Sequence, residues 1–215
     1  MYLEPKPAGG MRRMAVLSQR DDRVWWGIAE RVAETIEPRL SPRVLANRWL
    51  PTGEGRRPSG LGPALCRARR AAEKLCMESD AVIRTDVRSF YPSVTPSVAF
   101  RTLVDLDVDV EIAREVALML DGWGSEGYAG LPIGPPGSAV VANAVLAGVD
   151  ADLQRFQFLR WVDDYVIGVP AGSVSRALDR TDTSLDRLGL ERSREKTSLL
   201  GGGTALTWPG TYRGR

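Results

Sequence analysis

Histidine is absent from this chain of 215 residues, lysine occurs three times (Lys6, Lys74 and Lys196), and cysteine twice. Without histidine there is no Ser-His-Asp triad, no Cys-His pair and no imidazole-ligated metal. Catalysis must come from carboxylates, Lys, Arg, Tyr or a hard metal held by carboxylates. Cys66 and Cys76 stand ten apart, which is not metal-ligand spacing, and read as reduced, partly buried thiols. No apolar run approaches the ~20 residues that cross a bilayer, and the N-terminus lacks the apolar core of a signal peptide. The expectation is a soluble cytoplasmic protein with no membrane partner.

What is present is arginine, unevenly spread. The net charge is only +2, but residues 1–75 carry 15 basic and 8 acidic side chains, leaving 14 basic and 19 acidic in the rest. A basic N-terminal part joined to an acidic C-terminal part suggests a polyanion partner at one end and cation binding at the other. The hydrophobic content, 43%, is ample for a sizeable core.

Periodicity predicts a mixed chain. MRRMAVLS, after a Gly-hinged basic turn, reads as a short strand. DDRVWWGIAERVAETIEPRL reads as an amphipathic helix stopped near Pro38, with Val24, Ile28, Val32 and Ile36 on its apolar stripe. Residues 50–63 are rich in Gly and Pro and read as a surface loop. A helix is expected from about Ala64 to Met77, a buried strand over 81–87, and two helical pieces over 97–120 split near DLDVD. SAVVANAVLAGVDADLQRF, almost wholly apolar, reads as one buried helix over 138–156. Two short strands, Gln157–Val162 and Tyr165–Val169, are followed by a charged helix ending at Gly189. The class is α+β: a small, mostly antiparallel sheet backed by helices.

Asp163 and Asp164 interrupt the apolar run FLRWVDDYVIGV. At the tight turn of a hairpin at least one of their carboxylates projects at the lip of the sheet, and the strand VIRTDV also ends in an aspartate, Asp86. If these strands are neighbours, Asp86 and Asp163 converge. Two carboxylates ~4 Å apart repel by about 4 kcal/mol at an effective dielectric near 20. A divalent cation relieves that repulsion, and hard oxygen ligands favour Mg2+ or Mn2+. Two such ions are the standard device for in-line displacement at phosphorus.

Five stretches, in order from about residue 6 to residue 200, resemble reverse transcriptases. RTDVRSFYPSV resembles the first palm motif, GLPIGPPGSAVVANAVLAGVD the second, RWVDDYVI the third and GLERSREKTSLL the fourth; KPAGGMRRMAVLSQRDDR resembles the fingers strand over the incoming nucleotide. The resemblance implies fingers over residues 1–78, a palm over 79–200 and a short tail over 201–215. It also implies a two-metal site, with two Mg2+ (or Mn2+) held by Asp86, Asp163, Asp164 and the Val87 carbonyl. Lys196 matches the lysine that protonates departing pyrophosphate. Tyr91 matches the aromatic gate that disfavours a 2′-hydroxyl. Arg12, with Lys6 and Arg13, matches the basic donors to the triphosphate. Gly134 matches the glycine that lets backbone approach the nucleotide.

There are departures. Ile133 stands where many of these enzymes keep a glutamine, and Trp161 replaces the usual tyrosine or phenylalanine. The LPIGP and RWVDD stretches are closest to abortive-infection and other defence-associated bacterial reverse transcriptases. No helical thumb is recognisable, which points to a partner subunit or self-association, to a fragment, or to a protein without processive copying. The expected activity is addition of dNTPs to a 3′-hydroxyl on an RNA or DNA template–primer. Untemplated or protein-primed synthesis, and a non-catalytic palm acting as a nucleic-acid-binding or assembly module, remain alternatives.

Overall fold

Ser18 starts the first helix: its Oγ accepts from the Asp21 amide at 3.1 Å, and Asp21 and Asp22 follow in the positive first turn. The computed structural model describes residues 2–5, 11–53, 55–206 and 208–209. Along the chain the order is β1 (Tyr2–Pro5), β2 (Met11–Met14), α1 (Gln19–Ile36), β3 (Trp49–Thr52), β4 (Gly55–Pro58), α2 (Leu61–Glu78), β5 (Ala81–Asp86) and α3 (Phe90–Ser93). Then come α4 (Pro96–Asp105), α5 (Val110–Ser125), α6 (Pro136–Val145), α7 (Ala147–Asp152), β6 (Gln157–Trp161), β7 (Asp164–Val169), α8 (Val174–Asp186) and β8 (Ser198–Gly201). These segments divide into two units, Met1–Leu40 with Asn47–Pro58 and Tyr91–Val145, and Ser41–Ala46 with Ser59–Phe90 and Leu146–Arg215.

The first unit is mainly helical. α1 packs against α5 and α6, and α4 packs against the same two. The stripe of α1 is carried by Trp25, Ile28, Ala29, Val32, Ala33 and Ile36; Val24, expected there, is exposed. Trp25 takes the place because its indole meets Trp123 edge-on at 5.1 Å and donates to Ser138 Oγ. Two antiparallel hairpins complete the unit, β1–β2 and β3–β4. The second is a correction, since residues 50–63 were expected to be loop. Glu37 fastens it, accepting from the Trp49 amide at 2.6 Å and from Arg48 Nε at 2.7 Å.

The second unit is built on a four-stranded antiparallel sheet, in the order β6-β7-β5-β8. α2 lays small side chains, Ala64, Ala68 and Ala72, then Leu75 and Cys76, on one face against Val82, Leu159, Trp161 and Val166. Both cysteines are free, with Cys76 buried and Cys66 exposed. α7 and α8 pack together, and α8 also meets β7. The expected single helix over 138–156 is two, α6 and α7, broken at Leu146. β8 was not anticipated. Among the described residues no helix is long and apolar enough to cross a membrane.

Candidate active site

β5 and β7 carry the first carboxylates into register. Their pairing runs from Ala81 opposite Val169 to Asp86 opposite Asp164, so these two aspartates face each other at the sheet end. Directly opposite Cα atoms in such a ladder stand about 4.5–5.5 Å apart, and like charges there are destabilising. Asp164 is the first residue of β7 rather than part of the turn. The loop from β6 is just Val162 and Asp163, because Trp161 pairs with Asp164. Val162 takes φ +58°, a conformation that a β-branched residue rarely adopts. The Asp163 carbonyl accepts from the Val87 amide at 3.2 Å, which ties the turn to the end of β5.

Lys196 reaches the same place from the chain after α8. Its Nζ forms a salt bridge with Asp86 Oδ2. Its neighbour Thr197 shares a 2.8 Å hydrogen bond with Thr85, and the Ser193 amide donates to the Asp86 carbonyl at 2.8 Å. Asp86 is buried, and its Oδ1 has no hydrogen-bond partner among the described residues. Burial, then the charges of Asp164 and Asp86, push Asp163 up to about 7, against the pull of Lys196. Burial and Asp86 also raise Asp164, while Arg84 and Lys196 oppose them. The hydrogen bond to Asp86 raises Lys196.

The donor set fits a hard divalent cation: three carboxylates in one corner, one of them with a buried oxygen lacking a donor. Among the described residues no three or more acidic or cysteine side chains form a ready-made cation cage, and Asp86 is closed on Lys196 instead.

The remaining expected residues lie in the first unit, around the loop before α6. The Tyr91 carbonyl accepts from the Leu131 amide at 2.8 Å. Gly130 makes this approach possible: at φ +73°, a Cβ there would stand 2.3 Å from that same carbonyl oxygen. The Ala15 amide donates to the Ile133 carbonyl at 2.8 Å. Tyr128 Oη accepts from the Ile133 amide at 2.9 Å and lies 3.5 Å from the Arg13 carbonyl it donates to. Gly134, φ +126°, meets Met14 and Ala15. Arg12 and Arg13 on β2 are exposed; the Arg13 and Tyr91 carbonyls both meet the loop that carries Gly134, while Arg12 lies opposite Glu4 on β1. Lys6 lies outside the described residues.

Sequence reasoning missed Arg160, Asp150 and Tyr165 beneath the carboxylate turn, and Arg84 beside it. Arg160 is wholly buried; its Nε and Nη2 donate to the Asp150 carboxylate at 2.7–3.1 Å, and Tyr165 Oη donates to Asp150 at 3.0 Å. Burial works against the Arg160 charge, but the Asp150 carboxylate outweighs it and raises the guanidinium. The available signal was a buried acid, Asp150, in a mostly apolar helix and a single base, Arg160, in an apolar strand.

No protein-family model matches the chain, and no curated protein does. Among solved structures, it is similar to the telomerase of Candida albicans solved with the TWJ fragment of telomeric RNA. The TM-score is 0.55 at 10% identity, covering 94% of this chain and 41% of that one. The chain thus spans about two fifths of that telomerase. A likeness at this identity is one of fold. The protein has a mixed α+β fold, with small antiparallel sheets and helices, that is similar to the fold of that telomerase.

Proposed function

We propose that the protein is a nucleotidyltransferase that extends a 3′-hydroxyl with dNTPs. The observation that carries this reading is Asp86 facing Asp164 across β5–β7, with Asp163 on the adjoining turn and the buried Asp86 Oδ1 unpartnered. Asp86, Asp163 and Asp164, with the Val87 carbonyl, would hold two Mg2+ or Mn2+. When bound, such ions neutralise charge developing on the phosphates and ease loss of the hydroxyl proton.

The primer oxygen forms a bond to the α-phosphorus as the bond to the bridging oxygen of the pyrophosphate breaks. The hydroxyl proton passes to solvent, and Lys196 gives a proton to the leaving pyrophosphate. Arg12, Arg13 and Lys6 are proposed donors to the triphosphate, Tyr91 the wall under the sugar, and Gly134 the close backbone approach. Most of the acceleration would be positioning and charge neutralisation. An RNA or DNA template–primer is the proposed partner, with a further subunit or a second copy closing the cleft. The resemblance of RWVDDYVI to defence-associated bacterial enzymes supports anti-phage defence in the cytoplasm as the setting.

Primer-extension assays with and without template, on one preparation, test the proposal. Incorporation by the wild type that is lost in Asp163→Asn is the expected result. Extension without template would make the synthesis untemplated, and no incorporation under either condition would leave the fold as a binding module.

A further inference from the structure

Arg160 is held at both ends before it reaches the turn. Its backbone amide donates to the Arg43 carbonyl and its carbonyl accepts from the Leu45 amide, both at 2.9 Å. Its side chain is clamped by Asp150 at Nε and Nη2, and Tyr165, directly opposite on β7, donates to the same carboxylate. The remaining guanidinium nitrogen, Nη1, donates to the Val162 carbonyl at 2.8 Å. The next carbonyl, that of Asp163, accepts from the Val87 amide. Consecutive carbonyls of a two-residue turn are therefore gripped from different strands, one by a buried arginine and one by the end of β5. Between them sits the Asp163 side chain. Val162 meanwhile has φ +58°, which a valine holds only when its surroundings impose it.

We infer that Arg160 is a positioning residue for the Val162–Asp163 turn, fixing the direction of the Asp163 carboxylate toward its cation. The inference rests on the proposed metal-binding role of Asp163. Arginine suits the task because its planar fork binds Asp150 bidentately and still offers a donor in another direction. Lysine, a single ammonium, does not make both contacts at once. Glycine at position 162 adopts the left-handed conformation without strain and removes the need for the grip.

The test compares wild type, Arg160→Lys, Val162→Gly and the double variant in two measurements on the full chain. Amide hydrogen exchange, in chelator, reads the Val87 amide against ladder amides in the middle of β5 and β7. Mn2+ titration by electron paramagnetic resonance reads the site, with Asp163→Asn as control. In Arg160→Lys, Val87 protection is expected to fall further than that of the central amides, with Mn2+ affinity reduced roughly 10–100-fold, as for lost supports of metal ligands. Adding Val162→Gly should restore most of both.

A fall in Val87 protection merely in step with the central amides, or the same effect of Val162→Gly in both backgrounds, would show Arg160 to be a core ion pair and overturn the inference. If Arg160→Lys does not fold, a folded double variant supports it and an unfolded one overturns it. Absence of Mn2+ binding by the wild type would defeat the metal reading, while the exchange data still decide whether Arg160 positions the turn.

Discussion

Asp164 stands directly across from Asp86 on the neighbouring strand, and the buried Asp86 carboxylate is closed on Lys196. Two like charges paired in a ladder make a corner that is repulsive on its own, and a lysine drawn over one of them relieves part of that repulsion.

The repulsion has a sign in pH. Asp163 titrates near 7 in the folded protein against about 3.9 in an unfolded chain. Between those values the folded state holds the proton that the unfolded state has lost, so stability falls as pH rises from about 4 to about 7. Denaturant unfolding in chelator should show this decline. Asp163→Asn should weaken it while abolishing nucleotide incorporation; an unchanged pH slope in the variant would remove Asp163 from the cluster.

Mg2+ or Mn2+ should stabilise the wild type by linkage, by about 2.7 kcal/mol at a hundred times the dissociation constant. Asp86→Asn should lose this response. Lys196→Met should keep it, because the methionine removes a cation that competes for Asp86, yet lower kcat by roughly 10²–10⁴-fold, the range for a lost general acid. Thermal shift and single-nucleotide kinetics measure the two; loss of the metal response in Lys196→Met would contradict the competition.

Arg12→Ala should raise the apparent KM for dNTP, since a hydrogen bond to a charged phosphate contributes ~1.5–3 kcal/mol. Arg12 is exposed on β2, so its removal should leave the melting temperature near that of the wild type. A change confined to template–primer affinity would move Arg12 off the triphosphate.

Tyr91→Ala should shift preference toward ribonucleotides by opening room for the 2′-hydroxyl. Competition between dCTP and CTP reads it directly. An unaltered ratio would assign Tyr91 to packing.

Gly130→Ala tests the loop rather than the chemistry. The new methyl would lie 2.3 Å from the Tyr91 carbonyl oxygen and 2.6 Å from that of Pro92, at φ +73°. Backbone must move, so a destabilisation well above the ~1 kcal/mol typical of point changes is expected in denaturant unfolding. A near-neutral effect would mean the loop has slack.

Legibility in the sequence followed the kind of signal. β5, β6 and β7 were visible because their apolar runs are bounded by charge and turn residues, and the hairpin at Asp163 followed from the same runs. β3–β4 was hidden by Gly and Pro, which mark loops more often than exposed hairpins. β8 was hidden by its shortness, since TSLLG has too few residues to display a period. Val24 was misjudged because spacing alone does not tell which of two adjacent positions, 24 or 25, turns inward; the size of the Trp25 ring decides it. The Arg160–Asp150 pair escaped because its partners, ten residues apart on different elements, share no periodicity. Asp86, Asp163 and Asp164 were expected to meet, but the salt bridge from Lys196 to Asp86 was not foreseen.

The alternation of β5 has a consequence for error. Asp86 shares its face with Val82, which packs on α2, while Ile83 and Thr85 point the other way. Sliding β7 by one position would turn Val166 out of the α2 contact and carry Asp164 to the opposite side of the sheet. Misaligned chains therefore lose the core and the carboxylate pair in one event, so a misthreaded molecule is eliminated by instability before it can persist as a folded but inert competitor.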